Sequence, residues 1–148
     1  MGLDNTDEKI VNVLLEDSKL SYRQIGKKVN VSVATVMHRV KKLEKEGIVK
    51  KYTVLLDYEK LGYDVPVMID IRVAKGKLFN VENKIATHPN VFAVYDKTGN
   101  FDATIIAKFK NRKSMDNFLK KIQTYEFVER TETKLILKTI KEESLMIE

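Results

Sequence analysis

The stretch from Gly26 to Gly47 constrains the fold of this chain more than any other feature of the sequence. Ser32 can begin a helix, because its hydroxyl can accept a hydrogen bond from a free amide of the first turn. Gly47 can end that helix, because glycine readily adopts the left-handed conformation that follows many helices. Four apolar residues between them recur at helical spacing: Val33, Val36, Val40 and Leu43. The stretch therefore predicts an amphipathic helix with defined ends.

A second helix is predicted immediately before this one. Ser21 and Gln24 match the Ser-x-x-Gln capping box that begins many helices. The short turn between the two helices starts at Asn30, a residue type that tolerates positive φ. Helices joined by so short a turn cross steeply, and Gly26 lets them approach closely. These features favour a helix-turn-helix over the alternative, an ordinary helical hairpin whose polar face is only solvated.

The polar side of the capped helix carries basic and neutral residues but no acid. Its members share one face at spacings i, i+3, i+4 and i+7: Thr35, His38, Arg39 and Lys42. We predict that Thr35, His38 and Arg39 contact base edges in the major groove of double-stranded DNA. Lys42 is assigned to phosphate, and Ser32, at the start of the helix, to the same DNA-binding set.

After Gly47 the apolar period changes from helical to alternating, which predicts a strand over Ile48–Leu56. In a winged arrangement, Lys50 and Lys51 near the start of this strand reach phosphate. The alternative is a basic strand that only keeps a linker soluble. The net charge of +6 does not decide between them; the local clustering of basic residues favours the DNA contact.

A first helix, capped by Asp4 and Asp7, completes a three-helix core. Its buried stripe comprises Ile10, Val11, Leu14 and Leu15. We therefore predict a DNA-binding domain with its following strand over residues 1–56, a linker over 57–62 and a second domain over 63–148.

The second domain has the pattern β-α-β-β-α-β. Strict alternation predicts a strand over residues 65–73, and further strands are predicted over 91–95 and 103–109, with a long one over 127–140. Helical spacing predicts two helices, one from Leu78 to Ile85 and one behind a cap at Ser114. This order is typical of a ferredoxin-like domain, a four-stranded antiparallel sheet with both helices on one face. The predicted fold class is therefore α+β.

The other face of this sheet is predicted to be apolar. Its residues are expected to include Met68, Phe92, Val94, Ile106 and Ile136. An uncovered apolar face of several hundred Å² normally marks an interface. A helix-turn-helix protein that reads a palindrome also needs two-fold symmetry, so a homodimer is predicted.

Composition excludes several other classes of protein. The absence of Cys removes disulfides, zinc knuckles and thiol catalysis, and the two His residues lie far apart in sequence, so neither a metal nor a cofactor is expected. No apolar run approaches the roughly 20 residues that span a bilayer, so no membrane partner is expected. The first residues contain no basic and apolar signal region, which predicts a cytoplasmic protein.

Short motifs along nearly the whole chain resemble the Lrp/AsnC family, the feast/famine regulators of bacteria and archaea. The resemblance implies a DNA-binding transcription factor whose C-terminal domain forms dimers, often assembled into tetramers or octamers. The motifs are Leu3-Asp4-x-x-Asp7, Ile10 to Leu15, Ser21-x-x-x-Ile25-Gly26, Val29-Asn30-Val31-Ser32, Arg39-Val40-x-x-Leu43-Glu44-x-x-Gly47-Ile48 and Thr98-Gly99-x-Phe101-Asp102.

The resemblance also implies an amino acid or related metabolite as an effector, bound between dimers. The predicted effector residues are Thr98, Gly99, Asn100 and Asp102 in one loop, with Tyr125, Thr131 and Thr133 on the opposite wall. Loop amides suit a carboxylate, and Asp102 suits an ammonium group. The alternative is that the loop is ordinary turn chemistry and binds nothing.

Two other functions compete with sequence-specific regulation. A nucleoid-type architectural protein would wrap DNA with little base preference. An enzyme is the second: some proteins of this two-part architecture resemble tetrapyrrole decarboxylases. Such chemistry needs His and Arg converging in a pocket, whereas His88, Arg72, Arg112 and Arg130 form no recognisable cluster in the sequence. The chain is therefore not expected to be an enzyme.

Overall fold

Three capped helices form the first part of the computed structural model, which describes residues 2–148. They are α1 (Asn5–Glu16), α2 (Tyr22–Val29) and α3 (Val33–Lys45). The predicted caps are confirmed: the side chains of Asp4, Ser21 and Ser32 each accept a hydrogen bond from a first-turn amide. In α1 and α2 the bond is reciprocated by Asp7 and Gln24, which completes a capping box in each helix.

The three helices enclose a small apolar core. Its fully buried side chains are Ile10, Ile25, Val36, Val40 and Leu43. Two residues of the predicted stripes do not join it, since Leu15 is exposed and Val33 is 45% exposed. Val33 is the first residue of α3, and its side chain lies outside the core.

The turn between α2 and α3 has the predicted geometry. Asn30 adopts the left-handed conformation, with φ 58° and ψ 50°, and ends α2. Gly26 faces the start of α3 so closely that a Cβ atom there would lie 2.7 Å from the Val31 carbonyl oxygen. The helices therefore cross as a helix-turn-helix, and Gly47, at φ 72°, follows the end of α3.

The predicted strand over Ile48–Leu56 is not formed, because residues 50–57 adopt no regular structure. A strand needs a neighbouring strand for its backbone hydrogen bonds. The chain divides into two units, of which the first holds residues 2–55 together with Lys141–Glu148. The last eight residues therefore group with the helices, and Ile147 packs against their core, whereas the sequence analysis assigned these residues to the second domain.

The second unit, Leu56–Ile140, has the predicted ferredoxin-like order. Its sheet is antiparallel, with strand order β2-β3-β1-β4. The elements are β1 (Val65–Val73), α4 (Leu78–Lys84), β2 (Val91–Asp96), β3 (Ala103–Phe109), α5 (Arg112–Gln123) and β4 (Val128–Leu135). Strand β4 is shorter than predicted, and α5 is capped by Asn111, which accepts from the Ser114 amide, and not by Ser114.

Both helices pack on one face of the sheet. The core between them combines residues of α4 and α5, such as Val81 and Phe118, with Val67, Ile69 and Ile71 of β1. The opposite face, called here the open face, carries the alternate residues of β1 and their cross-strand partners. Met68 and Ile106 pair there and are half-buried, and the Ile136 amide donates to Pro66.

The open face differs from its prediction in two respects. Val94 pairs with Ile105 and packs into the helix-side core, so its assignment to the open face is wrong. The reason is a bulge between Val91 and Ala93, which shifts the alternation of β2 by one residue. The centre of the face is also charged, because Asp70, only 3% exposed, lies there.

Candidate nucleic-acid interface and effector site

The side of α3 opposite its buried residues is exposed and free of acids. It presents Ala34, His38, Lys41 and Lys45; Val33 and Met37 lie beside this face, on the side that also carries the exposed Glu44. His38 was predicted for this surface, whereas Ala34, Met37, Lys41 and Lys45 were missed. For Ala34 and Lys41 the signal was available in the spacing, because residues two and five positions from Val36 lie about 160° and 140° around the helix from it.

Arg39 and Lys42 do not lie on this outward face. The Arg39 guanidinium forms ion pairs with Asp4 and with Asp7, the latter at 3.2 Å between Nη1 and Oδ1. The Lys42 ammonium lies 3.6 Å from the other oxygen of Asp7, whose side chain is 1% exposed. The predicted roles of Arg39 in base contact and of Lys42 in phosphate contact are therefore revised: both side chains face α1.

The charges of this cluster stabilise one another. The pKa of the Asp4 carboxyl is lowered, first by the hydrogen bond from the Asp7 amide and then by that from Arg39. The pKa of Arg39 is raised by its hydrogen bond to Asp4. Asp4 and Asp7 also cap α1, so the same two carboxylates cap α1 and form ion pairs with Arg39 of α3.

The start of α3 offers hydroxyl groups and flanking cations. Ser32 Oγ accepts from the Thr35 amide at 3.1 Å, and the two hydroxyls lie 2.8 Å apart. An open cleft runs along this turn and is lined by Arg23 and Lys27 of α2, both exposed, besides Gly26 and Ser32. The prediction missed Arg23 and Lys27, although their i, i+4 spacing places them on one side of α2.

Lys50 and Lys51 are exposed just beyond α3. The next residue fixes their position, since the Tyr52 hydroxyl donates to Glu44 Oε1 of α3 at 2.7 Å. Partial burial raises the pKa of Tyr52 to about 12, and the Glu44 carboxylate contributes to the same shift. The segment after α3 is therefore anchored to α3 by this hydrogen bond, although it forms no strand.

The predicted effector loop is well exposed at its tip. Thr98, Gly99 and Asn100 are exposed, and Gly99 has φ 113°, a conformation that favours glycine. Asp102 also has a structural role that was not predicted. Its carboxylate accepts from the Val73 amide at 2.7 Å, so it fastens the loop to β1.

The opposite wall of the predicted effector site lies on β4 and the turn before it. The ring of Tyr125 stacks on Phe127 with centroids 5.2 Å apart. The Thr131 hydroxyl accepts from Gln123 at 3.2 Å, and Thr133 is exposed. Because β1 lies between β3 and β4, Asp102 and the two threonines are separated by about two strand spacings, roughly 10 Å. In one copy these three residues therefore lie apart, although Arg130 of the same strand reaches the Phe101 ring of the loop.

Other side chains surround the loop. The Phe101 ring lies between two cations, with Lys97 Nζ 5.8 Å and Arg130 Cζ 5.5 Å from its centroid. Lys97 also pairs with Asp70, to which Lys134 donates at 2.7 Å and Thr104 at 2.6 Å. Burial raises the pKa of Asp70, but the hydrogen bonds from Lys134, Lys97 and Thr104 outweigh it and hold the carboxyl well below its usual range.

Across residues 2–148 there is no group of three His, Cys, Asp or Glu side chains placed to hold a metal. His88 packs edge-on against Phe118, 4.7 Å between centroids, and accepts from the Asn90 amide. Its pKa is lowered by burial and by the charge of Lys121. Within the same described residues, no helix is long and apolar enough to cross a membrane.

Comparison with known proteins agrees with both halves of this description. A family model described as winged helix-turn-helix DNA-binding matches residues 3–50, and one described as Lrp/AsnC ligand binding domain matches residues 66–146. An HTH-type transcriptional regulator of Pyrococcus furiosus is 44% identical, over 97% of this chain and 97% of the relative. A second one from that organism, FL11, is 36% identical over 95% of this chain and 93% of the relative.

A solved structure agrees as well. The complex of a transcriptional regulator of Neisseria meningitidis with L-Met superposes with a TM-score of 0.90 at 27% identity, covering 97% of this chain and 95% of that one. The resemblance inferred from short motifs is thereby confirmed over the whole length. With a helix-turn-helix unit followed by a ferredoxin-like unit and these matches, the chain belongs to the Lrp/AsnC family of transcription regulators.

Proposed function

We propose that this chain regulates transcription by binding specific double-stranded DNA sequences as a homodimer. The observation that carries the proposal is the outward face of α3, which is exposed, acid-free and flanked by cations from α2 and from the segment after α3. A helix of this kind fits the major groove with its first turns at base edges. Family membership supports a regulator and not an enzyme.

Base contact is assigned to the first turns of α3. Ser32, Thr35 and His38 keep their predicted roles, and Val33 and Met37 are apolar groups of the kind that contact a thymine methyl. Phosphate contact is assigned to the surrounding exposed cations: Arg23, Lys27, Lys41, Lys45, Lys50 and Lys51. Arg39 and Lys42 hold α3 against α1 and so set the angle at which α3 is presented.

The second unit supplies the dimer. The open face has apolar surface, contributed by Met68, Ile106, Ile136 and Phe92. Phe92 is 47% exposed. A second copy related by a two-fold axis covers the same residues on both sides. Two DNA-binding units then meet two half-sites of a palindrome. Tetramers or octamers follow from further contacts between dimers.

The proposed effector is an amino acid, as in the L-Met complex of the Neisseria regulator. The exposed amides of Gly99 and Asn100 suit its carboxylate, and Lys97 and Arg130 add positive charge beside the loop. Since Asp102 is engaged with β1, the ammonium group needs another partner. The hydroxyl groups of Tyr125, Thr131 and Thr133 provide it from a different copy, because in a single copy Thr131 and Thr133 lie about two strand spacings from Asp102.

Selection of binding sites from random DNA tests this function. We expect one palindromic sequence to be enriched and bound with affinity about 10³-fold or more above random DNA. His38→Ala should cost roughly 1–3 kcal/mol on that sequence and relax the preference at one base pair. Lys120→Ala, an exposed lysine of the second unit, is the matched control and should change nothing. If no sequence is enriched and all DNA sequences are bound tightly, the protein would instead be an architectural one.

A further inference from the structure

The C-terminus of the chain makes a specific contact with helix α1. The Ile147 amide donates to Asn12 Oδ1 at 2.9 Å, and Asn12 Nδ2 donates to the Ile147 carbonyl at 2.8 Å. One side-chain amide thus satisfies both backbone groups of a single residue, as a neighbouring strand would do. Only an extended segment presents its amide and carbonyl in this way.

An apolar contact accompanies these hydrogen bonds. Ile147 is half-buried and packs against the core cluster of the first unit, as do Leu3, Leu14 and Val49. The large apolar side chains before it are much more exposed: Leu137 is 95% exposed, and Ile140 and Leu145 are also largely exposed. Ile147 is therefore the anchor of an otherwise extended segment.

One partner in this contact, Ile147, lies outside the segments that the family models match. The two family models match residues 3–50 and 66–146, so Ile147 falls beyond both. It also changes how the first unit is connected. The chain leaves this unit after Leu55 and returns to it at Lys141, so the unit is held at two points and not at one.

We propose that the surface of α1 around Asn12 is a docking site for the C-terminal segment of the same chain, with Ile147 as its anchor. Two hydrogen bonds and one apolar side chain must offset the entropy of ordering an extended segment, so the docked state is reversible. Docking places the last eight residues with the first unit, and release frees them from α1. The proposal does not depend on which DNA or effector the protein binds.

The test uses full-length protein, a chain truncated after Met146, and a synthetic peptide of residues 141–148. We expect the peptide to bind the truncated chain one to one and to slow hydrogen exchange in α1. It should bind full-length protein at least tenfold more weakly, because the site is already occupied. No peptide binding to the truncated chain would overturn the proposal.

Point variants test the named contacts. Asn12→Ala and Ile147→Asp in full-length protein should each abolish the protection of the Ile147 amide from exchange, and Ile147→Val should retain most of it. Leu145→Ala is the matched control, since that side chain is exposed, and should leave the protection unchanged. Protection that survives Asn12→Ala, or that disappears on dilution of the wild-type protein to monomer, would overturn the intramolecular site.

Discussion

Gly26 offers a sharp test of the helix-turn-helix geometry, because the usual effect of Gly→Ala in a helix should be reversed there. Alanine in a helix interior is favoured over glycine by about 1 kcal/mol. At Gly26 the new Cβ would meet the Val31 carbonyl oxygen at 2.7 Å, whereas ordinary contacts begin near 3.4 Å. The turn must open by about 0.7 Å.

The obstacle is backbone, so it cannot rotate away, and the Val31 amide is itself bonded to the Gly26 carbonyl at 3.0 Å. Overpacking costs about 1–3 kcal/mol, and a rigid neighbour places this case at the upper end. After the helix-propensity gain is subtracted, Gly26→Ala should destabilise the first unit by about 2 kcal/mol. That corresponds to a fall in melting temperature of roughly 8–16 °C for a unit of this size.

Calorimetry of the full-length protein is the assay, because the second unit serves as an internal reference whose transition should not move. Lys28→Ala, an exposed position in the same helix, is the matched control and should stay within about 0.5 kcal/mol. A Gly26→Ala protein that melts at or above the wild-type temperature would show that propensity dominates. The close helix crossing described here would then be wrong.

Three further outcomes are expected. Arg39→Ala should lower the melting temperature of the first unit, measured by calorimetry, and should weaken binding to specific and to random DNA by the same factor, measured by fluorescence titration. A relaxed preference at one base pair would instead place Arg39 at the bases. The low pKa of Asp70 gives stability that is complete above its unfolded value near 4 and lost as pH falls below it, so acid titration of Asp70→Asn should show a flatter stability profile for the second unit. A fragment from Leu61 to Glu148 should sediment as a dimer, and a monomeric fragment would exclude the open face as the interface.

Signals that act over a few residues were readable from the sequence. Each helix cap is a side chain bonded to an amide three residues later, as in Ser32 with Thr35, so residue type and spacing suffice. The alternation of β1 and the turn at Asn30 are of the same kind. The order of these local elements was enough to indicate both units of the fold.

Features that depend on distant residues were not readable. Arg39 faces α1 because Asp7, 32 positions earlier, lies against it in three dimensions. Val94 faces the core because a bulge shifts the alternation of β2, and no residue type in that strand predicts the bulge. The roles of Asp102 and Ile147 likewise follow from partners that only the folded chain supplies.

The cations around α3 have a consequence for how the protein senses its surroundings. If four of the exposed lysines in each copy, such as Lys41, Lys45, Lys50 and Lys51, neutralise phosphates, a dimer displaces the ions condensed at about eight phosphates. Affinity then falls with roughly the seventh power of ionic strength, and a doubling of salt lowers it about 130-fold. Occupancy of DNA is therefore expected to fall when the ionic strength rises, without any effector.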